Sequence, residues 1–270
     1  MAEPSAAAAR HGDGRAFDLP GGPDAALFLH GLTGSPFEVR YLADRLHIEY
    51  GLRCLGPLLP GHESAEALAR VPWRDWLECA RAELARLRGA RRILVVGCSM
   101  GALLACALAR ESGSGIERLV LLAPALRLTP FGRLAGLLAW HTPLARVFPL
   151  VHKRSGSDVG DPEMRAANPC LDSVPLASVA ELLKLSEHVD PLLPEVRSPA
   201  LVVGGGRDGT VSLAGVRRMA DRLGGGARLL VLPKSQHLVG IDVERERLFD
   251  EVRAFVGWGA VEREARADAR

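Results

Sequence analysis

The chain is short of lysine, of pairable cysteine and of long apolar runs, and each shortage closes off a class of function. Lysine occurs only at Lys153, Lys184 and Lys234, and arginine supplies the rest of 34 basic residues against 32 acidic ones. The formal net charge of +2 gives no electrostatic case for a nucleic acid or a strongly acidic partner. Cysteine appears five times, at positions 54, 79, 98, 106 and 170, with no C-x-x-C pair. An odd count without that spacing argues against a disulfide framework and against a zinc site. It fits a reducing compartment, so a cytoplasmic location is expected. No apolar run approaches the roughly 18 residues that a membrane span needs, so no integral membrane segment is expected. The first fifteen residues are rich in Ala, Gly and charge, and they lack the apolar stretch of a secretory signal. Residues 1–20 read as a disordered leader.

What the chain does have is apolar mass in a regular rhythm. Hydrophobic residues make up 48% of 270, enough for a sizeable core. Short apolar runs alternate with amphipathic stretches, the pattern of a mostly parallel sheet flanked by helices. Strands are expected at Ala25–His30, Arg53–Leu55, Arg92–Val96, Leu119–Leu122, Ala200–Val203 and Arg228–Leu232. Helices are expected near Ser35–Tyr50, Trp73–Leu87, Ser99–Arg110, Ser212–Leu223 and Glu244–Val256. Between residues 125 and 195 the rhythm breaks. That stretch has several prolines, few strand signals and two apolar patches, Phe131–Trp140 and Leu144–Val151. Some seventy residues are too many for a plain loop, and they read as an inserted helical cap. The division expected is therefore a core of 21–124 and 196–258, a cap of 125–195 and a tail of 259–270.

The sharpest local signal is Gly97-Cys98-Ser99-Met100-Gly101, between the apolar run ILVV and the helical stretch ALLACALA. A tight strand-to-helix turn of this kind holds the serine in a strained conformation with its hydroxyl exposed. An alkyl hydroxyl is a poor nucleophile near neutral pH, so it needs a base, and the base needs an orienting partner. On such a sheet the acid and then the base follow the serine in sequence, each on a loop after a strand. Asp208 follows the Ala200 strand and His237 follows the Arg228 strand, in that order. A plainer reading of Asp208 is a turn-forming residue before Gly209. Asp190 and Asp242 are rival acids, but Asp190 precedes its strand and Asp242 comes after His237. The loop His30-Gly31-Leu32-Thr33-Gly34 ends the first strand, and a glycine there lets backbone approach the nucleophile. The backbone N–H groups of Leu32 and Met100 are assigned to an oxyanion hole.

Five segments resemble the α/β-hydrolase family of small carboxylesterases and bacterial monoacylglycerol lipases. They are HGLTGSP (His30–Pro36), LPGH (Leu59–His62), GCSMG (Gly97–Gly101), RDGTV (Arg207–Val211) and SQHLVGID (Ser235–Asp242). The resemblance covers Ala25 to Val256 and implies the α/β-hydrolase fold, with nucleophile, acid and base at Ser99, Asp208 and His237. It also implies oxyanion amides at Leu32 and Met100. Two departures stand out: Ala102 where a second glycine is usual, and Glu63 where the PGH motif usually continues to glycine.

The expected activity is hydrolysis of a carboxylic ester of short to medium acyl chain, or of a monoacylglycerol, through an acyl-enzyme on Ser99. No metal or cofactor is called for, and the oligomeric state is left open. A thioesterase, an amidase or a C–C hydrolase would use the same residues. Two other classes compete. Gly204, Gly206 and Gly209 spell the dinucleotide pattern G-x-G-x-x-G, but the next strand ends in Pro233-Lys234-Ser235, without the acid that would hold a ribose. A non-catalytic binding protein on a hydrolase scaffold is the other.

Overall fold

The computed structural model describes residues 13–142, 149–153 and 156–258. Its elements run β1 (Phe17–Leu19), β2 (Asp24–Leu29), α1 (Phe37–Tyr50), β3 (Arg53–Gly56), α2 (Ala65–Leu68), α3 (Trp73–Ala85), β4 (Arg92–Cys98), α4 (Met100–Ser112) and β5 (Arg118–Leu122). There follow α5 (Pro130–His141), β6 (Leu150–His152), α6 (Pro162–Ala167), β7 (Ser173–Pro175) and α7 (Leu176–Val189). The chain ends on β8 (Ala200–Gly205), α8 (Leu213–Arg222), β9 (Ala227–Leu232) and α9 (Arg245–Val256).

Seven strands form one sheet in the order β1-β3-β2-β4-β5-β8-β9. All neighbours are parallel except β1, which runs antiparallel to β3 at the edge. Side chains alternate between the two faces of a strand, and both faces are covered here. Leu27, Val95, Leu121 and Val202 face the layer that includes Trp76, Leu103 and Met219. Phe28, Val96, Val120 and Val203 face the other layer, with Leu42 of α1 and Phe249 of α9. This two-sided burial is why the central strands read as unbroken apolar runs. Each fully buried Leu, Val or Phe contributes about 1.5–3 kcal/mol, so the sheet is a rigid platform for its end loops.

Two expectations are corrected. The leader is not disordered through residue 20, because Phe17–Leu19 is a sheet strand paired with Cys54–Gly56. Phe17 anchors it, with its ring centroid 6.0 Å from that of Phe28 and the Arg40 guanidinium 4.8 Å above the ring. The insertion also holds strands: β6 and β7 pair as an antiparallel ribbon, Leu150–His152 against Ser173–Pro175. Three residues per strand are too few to show a period. The 1–12 part of the leader, the 259–270 tail and most of the Leu144–Val151 patch lie outside the described residues.

Candidate active site

Ser99 sits between the last residue of β4 and the first of α4, with φ 54° and ψ −109°. That conformation costs a non-glycine residue on the order of 1–3 kcal/mol and persists only where its surroundings enforce it. The enforcement is backbone packing. A Cβ at Gly97 would strike the Gly101 carbonyl, and one at Gly101 would strike the carbonyl of Leu29. Strand β4, helix α4 and the end of β2 therefore meet at a distance only glycines allow. The Ser99 N–H donates to the Leu122 carbonyl at 2.8 Å, tying the turn to β5.

The loops after β8 and β9 bring the other two expected residues to the same place. Ser99 Oγ lies 3.0 Å from His237 Nε2, and His237 Nδ1 donates to Asp208 Oδ2 at 2.9 Å. Ser99 and His237 are buried, and the side chain of Asp208 is 4% exposed. Asp208 is also the turn-former that its sequence context suggests. Its Oδ1 accepts the N–H groups of Thr210 and Val211, each at 2.8 Å, which leaves Oδ2 for the imidazole. Burial pulls the His237 pKa down, but the Asp208 charge and hydrogen bond, with Asp158 and Glu38 further off, outweigh it. The net shift is upward.

Neither rival acid reaches the imidazole. Asp190 pairs with Arg218 at 2.9 Å. Asp242 is fully buried and accepts the backbone N–H groups of Asp161, Gln236 and Val243 at 2.9, 2.6 and 2.7 Å. Glu244 takes the N–H groups of Lys234 and Ser235 at 2.8 and 3.0 Å. Two carboxylates thus hold three successive amides of the segment leading into His237. Asp158, from the insertion, holds the acid loop in the same way through Gly209 N–H at 3.0 Å and Thr210 Oγ1 at 2.9 Å.

On the opposite side of Ser99 is the loop after β2. Among the described residues, the N–H groups of Leu32 and Met100 donate to no protein acceptor. Leu32 borders the same cavity as Ser99 and His237. His30, buried and held neutral by that burial and by the neighbouring His62, bonds Gly31 O through Nδ1 at 2.9 Å. Its Nε2 accepts the N–H of Leu59 at 3.0 Å. Gly31 O belongs to the peptide whose N–H is that of Leu32, so fixing one end of that plane aims the other. His62 stacks edge-on against His30, with centroids 4.6 Å apart.

The cavity over Ser99 measures about 330 Å³. Much of its apolar lining comes from the insertion: Leu128, Phe131, Val174, Val179 and Leu182. Glu38, Lys153, Asp158 and Thr210 supply polar lining. Thr210 falls within RDGTV, but spacing and motif mark none of Glu38, Lys153 and Asp158, because each reaches the site by tertiary packing alone. The G-x-G-x-x-G pattern is committed elsewhere. Gly206 N–H donates to Leu232 O at 2.8 Å and Gly209 N–H to Asp158, so these amides are not open to a pyrophosphate. No group of three or more metal-ligating side chains occurs among the described residues, and no helix among them is long and apolar enough to cross a membrane.

A seven-stranded, mostly parallel sheet carrying a serine at a strained strand-to-helix turn defines a class. Residues 26–251 match the alpha/beta hydrolase family, and the chain belongs to it. A curated relative is the thermostable monoacylglycerol lipase of Bacillus sp. (strain H-257), 24% identical over 242 residues, covering 88% of this chain and 92% of that one. Among solved structures, one from the metagenome-derived lipolytic enzymes LipS and LipT superposes with a TM-score of 0.82. It is 23% identical, covering 90% of this chain and 97% of that one. The monoacylglycerol lipase of Paleococcus ferrophilus gives 0.70 at 17% identity, covering 90% and 96%. These proteins share the fold of this chain.

Proposed function

We propose that this chain is a serine carboxylic ester hydrolase, acting on esters of short to medium acyl chain or on monoacylglycerols. The observation that carries the reading is the unbroken chain from Ser99 Oγ through both nitrogens of His237 to Asp208, at 3.0 and 2.9 Å. In this reading His237 takes the Ser99 proton as the hydroxyl oxygen attacks the ester carbonyl. The negative charge that develops on the carbonyl oxygen is met by the N–H groups of Leu32 and Met100, the second at the N-terminus of α4. His237 then gives its proton to the leaving alcohol, and an acyl group remains on Ser99. Water, deprotonated by His237, attacks that acyl group and releases the acid. Asp208 holds the imidazole with Nε2 toward the serine and balances the imidazolium charge.

Support for an ester substrate comes from the cavity and the relatives. The apolar lining suits an acyl chain, and the polar lining suits an alcohol. The relative from Bacillus and the neighbour from Paleococcus are both monoacylglycerol lipases. The test is a panel of chromogenic acyl esters of increasing chain length, run on the wild type and on Ser99→Ala. The variant is expected to lose about 10⁶-fold in kcat on every ester. It is also expected to resist labelling by a fluorophosphonate. Equal turnover by the two proteins, or an unlabelled wild type, rules the reading out.

A further inference from the structure

One buried acid has no part in the proton relay above. Glu38, in the first turn of α1, is 3% exposed, and its carboxyl bonds backbone. Its Oε2 accepts the Gly31 N–H at 2.8 Å. The neighbouring glycines are shaped around its carboxyl. A Cβ on Gly34 would collide with it, and one on Gly31 would lie 3.1 Å from Oε2 and 3.2 Å from the Ser99 Cβ. Gly31 is thus wedged between the Glu38 carboxyl and the serine.

The loop that Glu38 grips is strained. Thr33 has φ 61°, the left-handed region that a β-branched residue rarely enters. Such a conformation persists only when its surroundings over-determine it. Four bonds do so: Glu38 to Gly31 N–H, His30 to Gly31 O, Gly34 N–H to Gly31 O at 3.2 Å, and Leu171 N–H to Thr33 O at 2.9 Å. Only the first comes from a charged side chain that also borders the cavity over Ser99. The two peptide planes flanking Gly31 are clamped by different groups, one by Glu38 and the next by His30.

We infer that Glu38 is a positioning residue for ester hydrolysis: it fixes the Gly31 backbone so that the Leu32 N–H faces the carbonyl oxygen, while its carboxyl borders the same cavity as His237. This rests on the serine-esterase reading above. Burial raises the Glu38 pKa, opposed by the Gly31 N–H and by His237 and Lys153. The groups facing His237 are Asp208 from the β8 loop, Asp158 from the insertion and Glu38 from α1. Each negative charge favours the imidazolium, so removing one lowers the pH at which the base becomes available.

The test compares Glu38→Gln and Glu38→Ala with wild type and Ser99→Ala, each checked by circular dichroism. Gln keeps an acceptor for the Gly31 N–H but no charge. It is expected to lower kcat only about threefold while moving the acidic limb of kcat/KM to lower pH. Ala loses the acceptor as well, and is expected to lower kcat about 30-fold with KM changed less than threefold, a fraction of the effect of removing an oxyanion donor. A purely structural role would not move the pH limb. Wild-type kcat in Glu38→Ala, or an unmoved limb in Glu38→Gln, overturns the inference while an inactive Ser99→Ala leaves the esterase reading standing. If Glu38→Ala does not fold, the pH limb of Glu38→Gln decides alone. An active Ser99→Ala sinks the parent reading instead.

Discussion

The sheet core and the segment between β5 and β8 differ in how completely they bury their apolar side chains. In the core, the strand residues Leu27, Phe28, Val95 and Val120 are fully buried, and apolar contact does the holding. In the insertion, α5 exposes Phe131, Leu134 and Leu138, with Gly136 its one buried residue. Helix α7 nevertheless packs Val179, Leu182, Leu185 and Val189 into the core cluster, and polar bonds to backbone add to that fastening. Ser178 Oγ donates to Leu68 O at 3.0 Å, and Glu181 accepts the Trp73 N–H at 3.0 Å. Asp158 and Asp242 extend that fastening to the loops carrying Asp208 and His237. The contrast teaches a division of labour: the core positions Ser99, Asp208 and His237, the insertion lines the cavity with apolar side chains, and the packing of α7 with a few carboxylates joins the two.

The largest expected effect tests the core. Asp208→Asn keeps the shape of the side chain but lets the imidazole take the wrong tautomer, and kcat should fall about 10⁴-fold. The loss should be the same for acetyl and longer esters, because the acyl wall is untouched. Steady-state kinetics across the ester panel measure this, and a loss that varied more than tenfold with chain length would break the division.

The junction comes next. Asp242→Ala strips the acceptor from three backbone N–H groups, two of them spanning insertion and base loop. Unsatisfied buried donors should destabilise the protein by about 2–4 kcal/mol, a fall of about 5–12 °C in Tm by calorimetry. A Tm within a degree of wild type would mean that the carboxylate is not a fastener.

How much of this was legible in the sequence follows the same boundary. The central strands were readable because burial on both faces leaves unbroken runs such as AALFL and ILVV. Ser99 was readable because its turn demands glycines at fixed offsets, and Asp208 and His237 because each follows a strand of the run pattern. The edge strand Phe17–Leu19 and the ribbon β6–β7 were not, since three residues carry no period. Glu38, Asp158 and Asp242 were not assigned their contacts, because a carboxylate that binds backbone amides far away in sequence leaves no spacing to read. Asp242 reads from the sequence as the end of SQHLVGID and as a rival for the imidazole. Its actual partners are the amides one residue before His237 and 81 residues away at Asp161.

A smaller effect asks how far the insertion reaches into the chemistry. His237 should titrate above the ordinary value of about 6.5, so kcat/KM should rise with pH through a midpoint on that side. Asp158 contributes part of the shift from the insertion. Asp158→Asn retains an acceptor for Gly209 N–H, removes the charge, and should therefore move the midpoint to lower pH. A midpoint that stays put, read from pH–rate profiles, would confine the electrostatics of the base to the core.

The smallest effect isolates the apolar wall. Phe131 is 82% exposed yet borders the cavity. Because so little of its ring is buried in the free protein, Phe131→Ser removes almost no folding energy, and Tm should hold within about a degree. A bound acyl chain would cover the ring, and losing contact with one or two methylenes is worth about 1 kcal/mol. KM for esters of eight or more carbons should then rise about fivefold, while acetyl esters, too short to reach α5, should show no change. Equal KM shifts on short and long esters would place Phe131 on the path of the alcohol or of the reacting carbonyl. In that case the insertion would shape the chemistry as well as the choice of substrate.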